Sequence, residues 1–332
     1  MAYSSGGLIQ AIDYNYFTWG GNTTGTYSGT ITNLALVWGV GYGYKGYGQD
    51  VSLISAVSTS PLTTTITATQ WAGLVYTLNR ALGHQSGAGA QLATGSNIGI
   101  TAGATIRAFS NVATAITTIN TNANTRSASG TTITGSTLGT AIVFAAGNTS
   151  ADTASFTRTV TFASANQARY FFNAGGYINF VLTATNNNGT LRGADLVTNW
   201  QTNQAGGSIS GGASGGRTGS GGTVNTNSTT LGYYQLTTSN QAMQKITSAN
   251  YRYEYNTDFT QVGVRTNATN VSGSGDNGAV LTFQFDVSLA GKIGTGNSGF
   301  NDAVNVTLNV RFDIVPPETT YLANTWGSIT IA

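Results

Sequence analysis

The sequence predicts a mainly β fold of the α+β class, in which the C-terminal part forms a β-sandwich. Apolar and polar residues alternate along LTFQFDVSL (residues 281–289) and along VNVTLNVRFDI (residues 304–314), a period typical of half-buried strands. Residues 67–83, in contrast, carry the apolar spacing of an amphipathic helix. We therefore expect a small helical layer, an extensive β structure, and a strand–short helix–strand unit at the centre of the chain.

The composition favours a folded protein with a neutral surface. The chain has 332 residues, enough for two domains or one large β domain. Charged residues make up only 7% of it, against about 25% in ordinary globular domains. Disorder is not indicated, because disordered chains contain few aromatic residues and this one has 16 Tyr, 13 Phe and 5 Trp. A surface rich in Thr, Asn, Ser and Gly is typical of assemblies and extracellular proteins.

Several classes of partner and site are not indicated. The net charge is +2, and the 13 basic and 11 acidic residues are scattered singly, so we expect no binding to nucleic acid or to a membrane surface. Cysteine is absent, so neither disulfides nor thiolate metal sites are expected. No apolar run reaches the about 18 residues of a membrane-spanning helix, and the N-terminus lacks the pattern of a secretory signal. We expect no cofactor.

Residues 1–66 predict an arm and loops rich in glycine and aromatic residues. Within them Trp38–Gln49 (WGVGYGYKGYGQ) alternates glycine with aromatic rings, and its glycines would weaken a regular strand. Two interpretations stay open, an ordered surface loop and an arm whose rings contact a neighbouring subunit. The candidates for such assembly contacts are Trp19, Trp38, Tyr42, Tyr44 and Tyr47.

Residues 67–126 predict a helical segment. Thr67 or Thr69 can cap its first helix and Gly83 can end it. The single histidine, His84, would then be a solvated residue at the helix end. A weaker second helix near Ser110–Thr125 is expected to pack back on the first as a helical hairpin. The apolar stripe of the first helix consists of Trp71, Leu74, Val75, Leu78 and Leu82.

Residues 127–229 predict a central β unit. The apolar run AIVFAA (residues 141–146) predicts a short buried strand, and alternation through Val160 and Phe162 predicts a second. Ser164 can cap a short helix that extends to Phe172, after which Tyr177–Thr185 returns to strand. Leu191–Gln204 can hold a short helix with Leu196 and Trp200. The segment Gly206–Gly222 is either a flexible linker or a long hairpin loop.

The short helix carries the most specific motif of the chain. We expect Arg169 either to cap carbonyl groups or to pair with an acid, while the neighbouring rings anchor the helix in the core. The glycines accept the positive φ at which such a helix ends. The motif core is Arg169, Tyr170, Phe171, Phe172, Asn173, Gly175 and Gly176.

Residues 230–332 predict a C-terminal β-sandwich region. Even spacing of alternating strands is typical of a two-sheet sandwich, and Pro316-Pro317 ends the last long strand. The predicted strands are Leu231–Thr237, Tyr251–Tyr255, Gln261–Thr266, Ala279–Leu289, Asn305–Ile314 and Ser328–Ile331.

Catalytic residues are not expected. One histidine and no cysteine provide too few ligands for a zinc site, and no nucleophile elbow accompanies His84. Glu254 and Asp258 share a face of a predicted strand and are weakly compatible with a glycosidase pair. The better interpretation of both is solvated acids of a strand and turn.

Aromatic rings in the C-terminal region leave a second function open. Exposed tyrosines and tryptophans can stack on sugar faces, and Asn and Thr can supply hydrogen bonds. The alternative function is therefore a receptor- or carbohydrate-binding adhesin that recognises a host surface glycan. Its ligand-contact candidates are Tyr233, Tyr234, Tyr251, Tyr253, Tyr255 and Trp326.

The segment ARYFFNAGGYINF (Ala168–Phe180) resembles a motif of virion structural proteins from tailed bacteriophages, notably cyanophages and marine phages. In that family a near-identical segment follows a V-x-F strand, which Val160 and Phe162 supply here. Four further segments resemble the same family in order: YSSGGLIQAIDYN (Tyr3–Asn15), GYKGYGQ (Gly43–Gln49), the Gln70-Trp71 helix start, and GDNG (Gly275–Gly278).

The resemblance implies a non-enzymatic structural protein of the virion, and the missing secretory signal indicates synthesis in the host cytoplasm. Closed symmetry is the default for such assemblies, so we expect a homotrimer or higher ring that attaches to other virion proteins. Tail, neck or collar, baseplate and fibre all stay open as its position. The family provides no catalytic or cofactor-binding residues to transfer to this sequence.

Overall fold

The computed structural model describes residues 10–20, 33–41, 43, 45–59, 65–92, 109–146, 151–211, 226–227, 230–246, 258–269, 277–289 and 303–332. The chain divides into two compact units, and neither is continuous in sequence. The helical unit comprises Met1–Gly130, Arg169–Gly175 and Pro317–Gly327. The sandwich unit comprises Thr131–Ala168, Gly176–Pro316 and Ser328–Ala332.

The described strands of the sandwich unit form two sheets. One has five strands in the order β1-β10-β3-β4-β6, and the other has six in the order β11-β2-β9-β8-β7-β5. The β4–β6 pair is parallel, and the other pairs are antiparallel. The strands are β1 (Ile133–Phe144), β2 (Asp152–Phe162), β3 (Tyr177–Asn186), β4 (Gly206–Ser210), β5 (Thr226–Asn227), β6 (Thr230–Gly232), β7 (Gln241–Ile246), β8 (Phe259–Thr266), β9 (Val280–Leu289), β10 (Val304–Val315) and β11 (Ile329–Ile331).

Aromatic rings from both sheets form the core between them. The ring of Phe283 in β9 lies 4.7 Å from that of Phe312 in β10, and it lies 5.6 Å from the ring of Phe180 in β3. Alternate residues of β9 and β10 are buried, because successive side chains of a strand point to opposite faces. The mainly β, sandwich-like fold predicted from this alternation is confirmed.

The two sheets mix strands from different parts of the chain. β3, from the predicted central unit (residues 127–229), pairs with β10, from the predicted C-terminal region (residues 230–332). β2 and β9 pair in the same way in the other sheet. Both predicted regions therefore contribute strands to one sandwich.

Three predicted strands differ in detail or fall outside the described residues. The predicted buried strand at residues 141–146 is the end of β1, a longer edge strand that is largely exposed. The predicted strand Leu231–Thr237 is reduced to β6 and a 3₁₀ turn at Tyr233–Gln235. The predicted strand Tyr251–Tyr255 lies outside the described residues, as does most of the Gly-rich segment beyond β4.

The predicted strand–short helix–strand unit is present as β2, α5 (Ala165–Asn173) and β3. Ser164 caps the helix as expected, because its hydroxyl oxygen accepts the backbone N–H of Gln167 at 3.2 Å. Gly175 has φ 84°, the left-handed conformation expected after such a helix. Since β2 and β3 belong to different sheets, this connection carries the chain from one sheet to the other.

The helical unit contains α1 (Ala11–Trp19), α2 (Leu34–Trp38), α3 (Ala68–Ser86) and α4 (Phe109–Thr121). α3 begins with a reciprocal cap between Thr67 and Gln70, in which each side chain accepts the other residue's backbone N–H, at 3.2 and 2.8 Å. Its predicted apolar stripe is buried. Gln85 on α3 donates to the carbonyl oxygen of Ile119 on α4 at 2.9 Å, as expected for two helices that pack together. None of the described helices combines the length and apolarity needed to cross a membrane.

α3 continues past the predicted stop at Gly83 and ends at Ser86. Gly83 lies inside the helix because the ring of Tyr321 packs against it, 2.6 Å from the position that a Cβ would take. Gly87, with φ 85°, follows the end of the helix instead. The glycine that sequence reasoning interpreted as a terminator is therefore a packing contact.

Candidate functional site

The described residues of the segment 39–49, which are all but 42 and 44, form a tight loop that returns to α2. The backbone N–H groups of Tyr47 and Gln49 donate to the carbonyl oxygens of Val37 and Trp38 at 2.8 and 2.9 Å. Gly46 has φ 103°, and a Cβ at this position would lie 2.2 Å from the carbonyl oxygen of Val40. Only glycine fits such a conformation and approach, so the alternating glycines of this segment serve to build the loop.

Arg169 on α5 binds two carbonyl groups of this loop. Its Nη1 donates to the carbonyl oxygens of Val40 and Lys45 at 2.6 and 3.0 Å. The residue is only 1% exposed, and a buried guanidinium is tolerated when it is hydrogen-bonded. The structure thus gives Arg169 the first of its two predicted roles, that of capping carbonyl groups.

Asn173 binds the same loop from one helical turn further along α5. Its Nδ2 donates to the carbonyl oxygens of Gly43 and Gly46 at 3.3 and 2.9 Å. Residues four apart on a helix lie on one face, so Arg169 and Asn173 reach the loop together. Sequence reasoning treated Asn173 as part of the helix stop and did not predict this contact.

The aromatic residues of the motif anchor it as predicted. Phe171 and Phe172 are buried, with their rings edge to face at 5.1 Å. The Tyr170 ring lies 4.9 Å from the Arg169 guanidinium carbon, within the range of cation–π attraction. It also lies 2.5 Å from the position that a Cβ would take at Gly48, so the loop approaches this ring where a glycine leaves room.

The segment 323–325 closes the other side of the loop. Gln49 donates through Nε2 to the carbonyl oxygen of Ala323 at 3.0 Å and accepts the N–H of Ala323 at 2.8 Å. Thr325 donates through its hydroxyl to the carbonyl oxygen of Tyr47 at 2.5 Å. We call the loop 39–49, residues 169–175 and the segment 323–325 the motif junction. It joins three distant parts of the chain within the helical unit.

His84 is buried beside the junction, and its prediction as a solvated residue is wrong. Its exposed fraction is 2%, its ring lies 5.2 Å from that of Tyr47, and its Nε2 is 3.1 Å from the carbonyl oxygen of Ala174. Burial lowers the pKa of His84 to about 4. Neutral His84 can donate from Nε2 to this carbonyl, so its role here is to hold the chain after α5.

Trp38 and Tyr47 are buried in the chain's own core, which differs from their predicted role as subunit contacts. The Trp38 indole donates to the carbonyl oxygen of Asp50 at 2.8 Å. The Tyr47 hydroxyl accepts from Gln85 at 2.7 Å, and burial raises its pKa. Because polar partners in the same chain engage both rings, neither ring is presented to a neighbour.

The other predicted assembly contacts have different outcomes. Trp19 is half-buried, and its indole donates to the carbonyl oxygen of Ile54 at 2.8 Å. Tyr42 and Tyr44 lie outside the described residues. Lys45, the next residue in the chain, donates through its ammonium group to the side-chain oxygen of Asn120, and partial burial lowers the pKa of Lys45.

Asp258 is also buried rather than solvated. Its carboxylate accepts from Nε and Nη2 of Arg192 at 3.1 and 2.9 Å, so the pair is bidentate. Arg192 lies in α6 (Leu191–Thr198), which continues into a π-helical turn at Asn199–Gln204. Glu254, the other acid of the weak glycosidase hypothesis, lies outside the described residues. Within the described ranges no three His, Cys, Asp or Glu residues are grouped as a metal site.

Two ligand-contact candidates of the adhesin hypothesis are buried. Tyr233 donates through its hydroxyl to the carbonyl oxygen of Gly278 at 2.7 Å, and Trp326 is only 3% exposed. Tyr234 is half-buried, with its ring 5.1 Å from that of Tyr233. Neither buried ring is available to stack on a sugar. Tyr251, Tyr253 and Tyr255 lie outside the described residues.

Asn277, from the GDNG segment, repeats the chemistry of the motif junction in the sandwich unit. Its buried Nδ2 donates to the carbonyl oxygens of Tyr233 and Leu236 at 3.0 and 2.9 Å. The Asn277 backbone N–H donates to the Tyr233 hydroxyl at 3.1 Å. The polar residues of two separate motifs thus bind backbone groups of the same chain.

The comparisons with known proteins do not assign this chain to a family. A scan against protein-family models finds no match, and searches of curated proteins and of solved structures find none either.

Proposed function

We propose that this chain is a non-enzymatic structural protein of a tailed-phage virion, which acts by assembling with copies of itself and with neighbouring virion proteins. One observation carries the proposal. The segment that resembles the virion family most specifically, Ala168–Phe180, meets a second segment that resembles it, Gly43–Gln49, at the motif junction through Arg169 and Asn173.

The chemistry of the junction supports a structural role. Residues that bind a ligand direct polar atoms toward a cavity or toward solvent. Arg169, Asn173 and Gln49 instead donate to backbone carbonyl oxygens of the same chain. Their side chains fix a loop that is otherwise rich in glycine. A motif of this kind preserves a shape, which is what a repeated component of a particle requires.

Closed symmetry is the usual state of such assemblies, and we propose a trimer or a higher ring in the tail, neck or collar, or baseplate. The adhesin hypothesis has weaker support, since Tyr233 and Trp326 are buried. A place at the distal tip of a fibre would need a ligand surface built by other residues.

The test is the composition of purified particles. Particles carrying this gene are purified by density gradient, and their proteins are quantified by mass spectrometry against a known major virion protein. The proposal predicts several copies per particle that survive a high-salt wash. If the protein is absent from the particles while it is abundant in the lysate, the proposal is overturned. As a control, the protein released into the wash buffer is quantified in the same way, because loosely adsorbed protein would be found there.

A further inference from the structure

Two buried glutamines span the same gap inside the sandwich unit, in opposite directions. Gln204, at the end of the π-helical turn, donates through Nε2 to the carbonyl oxygen of Thr260 on β8 at 3.1 Å. Gln244 on β7 donates through Nε2 to the carbonyl oxygen of Gly206, at the start of β4, at 2.6 Å. Since Gln204 and Gly206 are two apart in the chain and β7 pairs with β8, the two amide groups are brought to the same place.

The side chain of Thr260 lies on the same face of the sheet as that of Gln244. In the antiparallel β7–β8 pair, Gln244 is opposite Val262, and Ile246 is opposite Thr260. Thr260 is therefore the diagonal neighbour of Gln244, a relationship that separates two residues by about 7–8 Å. All four residues are buried, so this face of the pair points into the core.

Each of these three polar side chains has one atom that the protein does not pair. Among the residues that the structure describes, none partners Oε1 of Gln204, Oε1 of Gln244 or Oγ1 of Thr260. The three residues are at most 2% exposed. The orientation of both amides is fixed, because only the NH₂ end of an amide can donate to a carbonyl oxygen. The two Oε1 atoms are therefore acceptors, whereas the Thr260 hydroxyl can donate.

The chemistry of the three atoms selects the ligand. Folded proteins pair nearly all buried polar side-chain atoms, either with protein groups or with ordered water. Two acceptors and one donor need a partner that donates twice and accepts once, and a water molecule does both. A metal ion fits less well, because the amide and hydroxyl oxygens are neutral and a buried charge needs a counter-charge. The nearby carboxylate of Asp258 is already bound by Arg192.

We propose that the sandwich unit binds one structural water molecule between Gln204, Gln244 and Thr260. The water donates one hydrogen to Oε1 of each glutamine and accepts the hydroxyl hydrogen of Thr260. Three hydrogen bonds are the usual number for a buried water. The water ties the end of the π-helical turn to the β7–β8 pair, and its site is independent of the proposed virion role.

The first experiment uses the sign of a stability change. Thr260→Val replaces the hydroxyl with a methyl group of similar size and keeps the backbone carbonyl that Gln204 binds. If the hydroxyl donates to a water, its loss destabilises the chain, and we expect the equilibrium constant for unfolding to rise about fivefold. A hydroxyl without a partner gives the opposite result, because burying an unpaired polar group is unfavourable. A urea midpoint that is raised or unchanged would overturn the inference.

Thr266→Val is the matched control for this measurement. Thr266 also lies on β8 and is 2% exposed, but its hydroxyl donates directly to the carbonyl oxygen of Asn277. The control therefore shows what the loss of one buried hydroxyl hydrogen bond costs on this strand. We expect the two variants to lower the urea midpoint to a similar extent. A loss of stability in Thr266→Val alone would contradict the water site.

A second experiment identifies the ligand directly. The full chain is crystallised in rubidium chloride, and diffraction is measured to high resolution at the rubidium absorption edge. We expect one peak of density about 2.5–3.0 Å from each of the three oxygens, with no anomalous signal. An anomalous peak would identify a monovalent cation instead of water. Direct hydrogen bonds among the three side chains, with no peak between them, would remove the site, and either result overturns the inference.

Discussion

Arg169 and Asn173, one turn apart on α5, divide four carbonyl oxygens of a single loop between them. Arg169 takes those of residues 40 and 45, and Asn173 takes those of residues 43 and 46. Loops seldom fold into a core, because buried carbonyl groups need partners. These two side chains supply the partners, so the stability of the helical unit is expected to depend on both.

Replacement of Arg169 should destabilise the chain strongly. Arg169→Ala leaves the carbonyl groups of Val40 and Lys45 without this donor, and we expect a loss of about 3 kcal/mol in the free energy of unfolding. Urea unfolding measures it. The matched control is Arg311→Ala, which removes a partly exposed pair with Asp313 and should lower the midpoint much less. Equal midpoints for the two variants would contradict the role assigned to Arg169.

Loss of the Asn173 amide should have a smaller effect of the same kind. Asn173→Ala removes two neutral hydrogen bonds to the loop, and we expect a cost of about 2 kcal/mol. Asn173→Asp keeps the size but replaces the donor with an acceptor facing two carbonyl oxygens, and should cost at least as much. If Asn173→Asp were as stable as the unmodified chain, Asn173 would not act as a donor here.

Two glycines of the loop should differ in their tolerance of alanine. At Gly46 a Cβ would meet the carbonyl oxygen of Val40 at 2.2 Å, whereas at Gly43 no atom lies within 4 Å. Both have positive φ, so Gly43→Ala should cost about 1 kcal/mol from the backbone alone. Gly46→Ala adds a clash and should cost about 3 kcal/mol. The comparison of thermal midpoints tests this, and the reverse order would show that the loop has another conformation.

His84 should make stability depend on pH. Its pKa is about 4 in the folded chain, below the ordinary value of 6.5, because burial disfavours the charged ring. Below pH 6.5 the unfolded state therefore binds the proton first. The contribution of His84 to the free energy of unfolding is therefore fully present above pH 6.5. It is lost as the pH drops toward 4, and the total loss is about 3 kcal/mol. Urea midpoints between pH 7 and pH 5 measure the slope, and His84→Gln should flatten it.

The buried pair of Arg192 and Asp258 offers a prediction for the sandwich unit. Asp258→Ala leaves the Arg192 guanidinium buried without its carboxylate and should cost about 3 to 5 kcal/mol. A double variant, Arg192→Met with Asp258→Ala, removes the uncompensated charge and should recover part of this loss. A double variant that is less stable than Asp258→Ala alone would contradict this account of the pair.

The sequence was sufficient where local pattern and burial agree. β9 and β10 alternate regularly, and their apolar residues are the buried ones. The stripe of α3 and the cap by Thr67 follow from spacing within one helix. The carbonyl-capping role of Arg169 was one of two roles predicted, since a charged residue amid three rings must find hydrogen bonds on burial.

The predictions differ from the structure where a residue far away in the sequence determines the local packing. Gly83 has the local signature of a helix stop, but Tyr321 makes it a packing contact. Because the helix does not stop at Gly83, it also carries His84 into a buried position beside Ala174. Trp38 and Tyr47 lie in a glycine-rich segment that suggests an exposed arm, yet they are buried in the core of the helical unit. The sequence predicted only the last part of β1, because the small exposed residues of its first part show little alternation of apolar and polar side chains.

The most direct test of the central claim is cryo-electron microscopy of the purified particles. The account predicts density that fits the two sheets of the sandwich unit and the α3–α4 pair of the helical unit. We expect it in several symmetry-related copies at the tail, neck or baseplate. A complete particle reconstruction whose density is fully assigned to other proteins would contradict the proposed virion role.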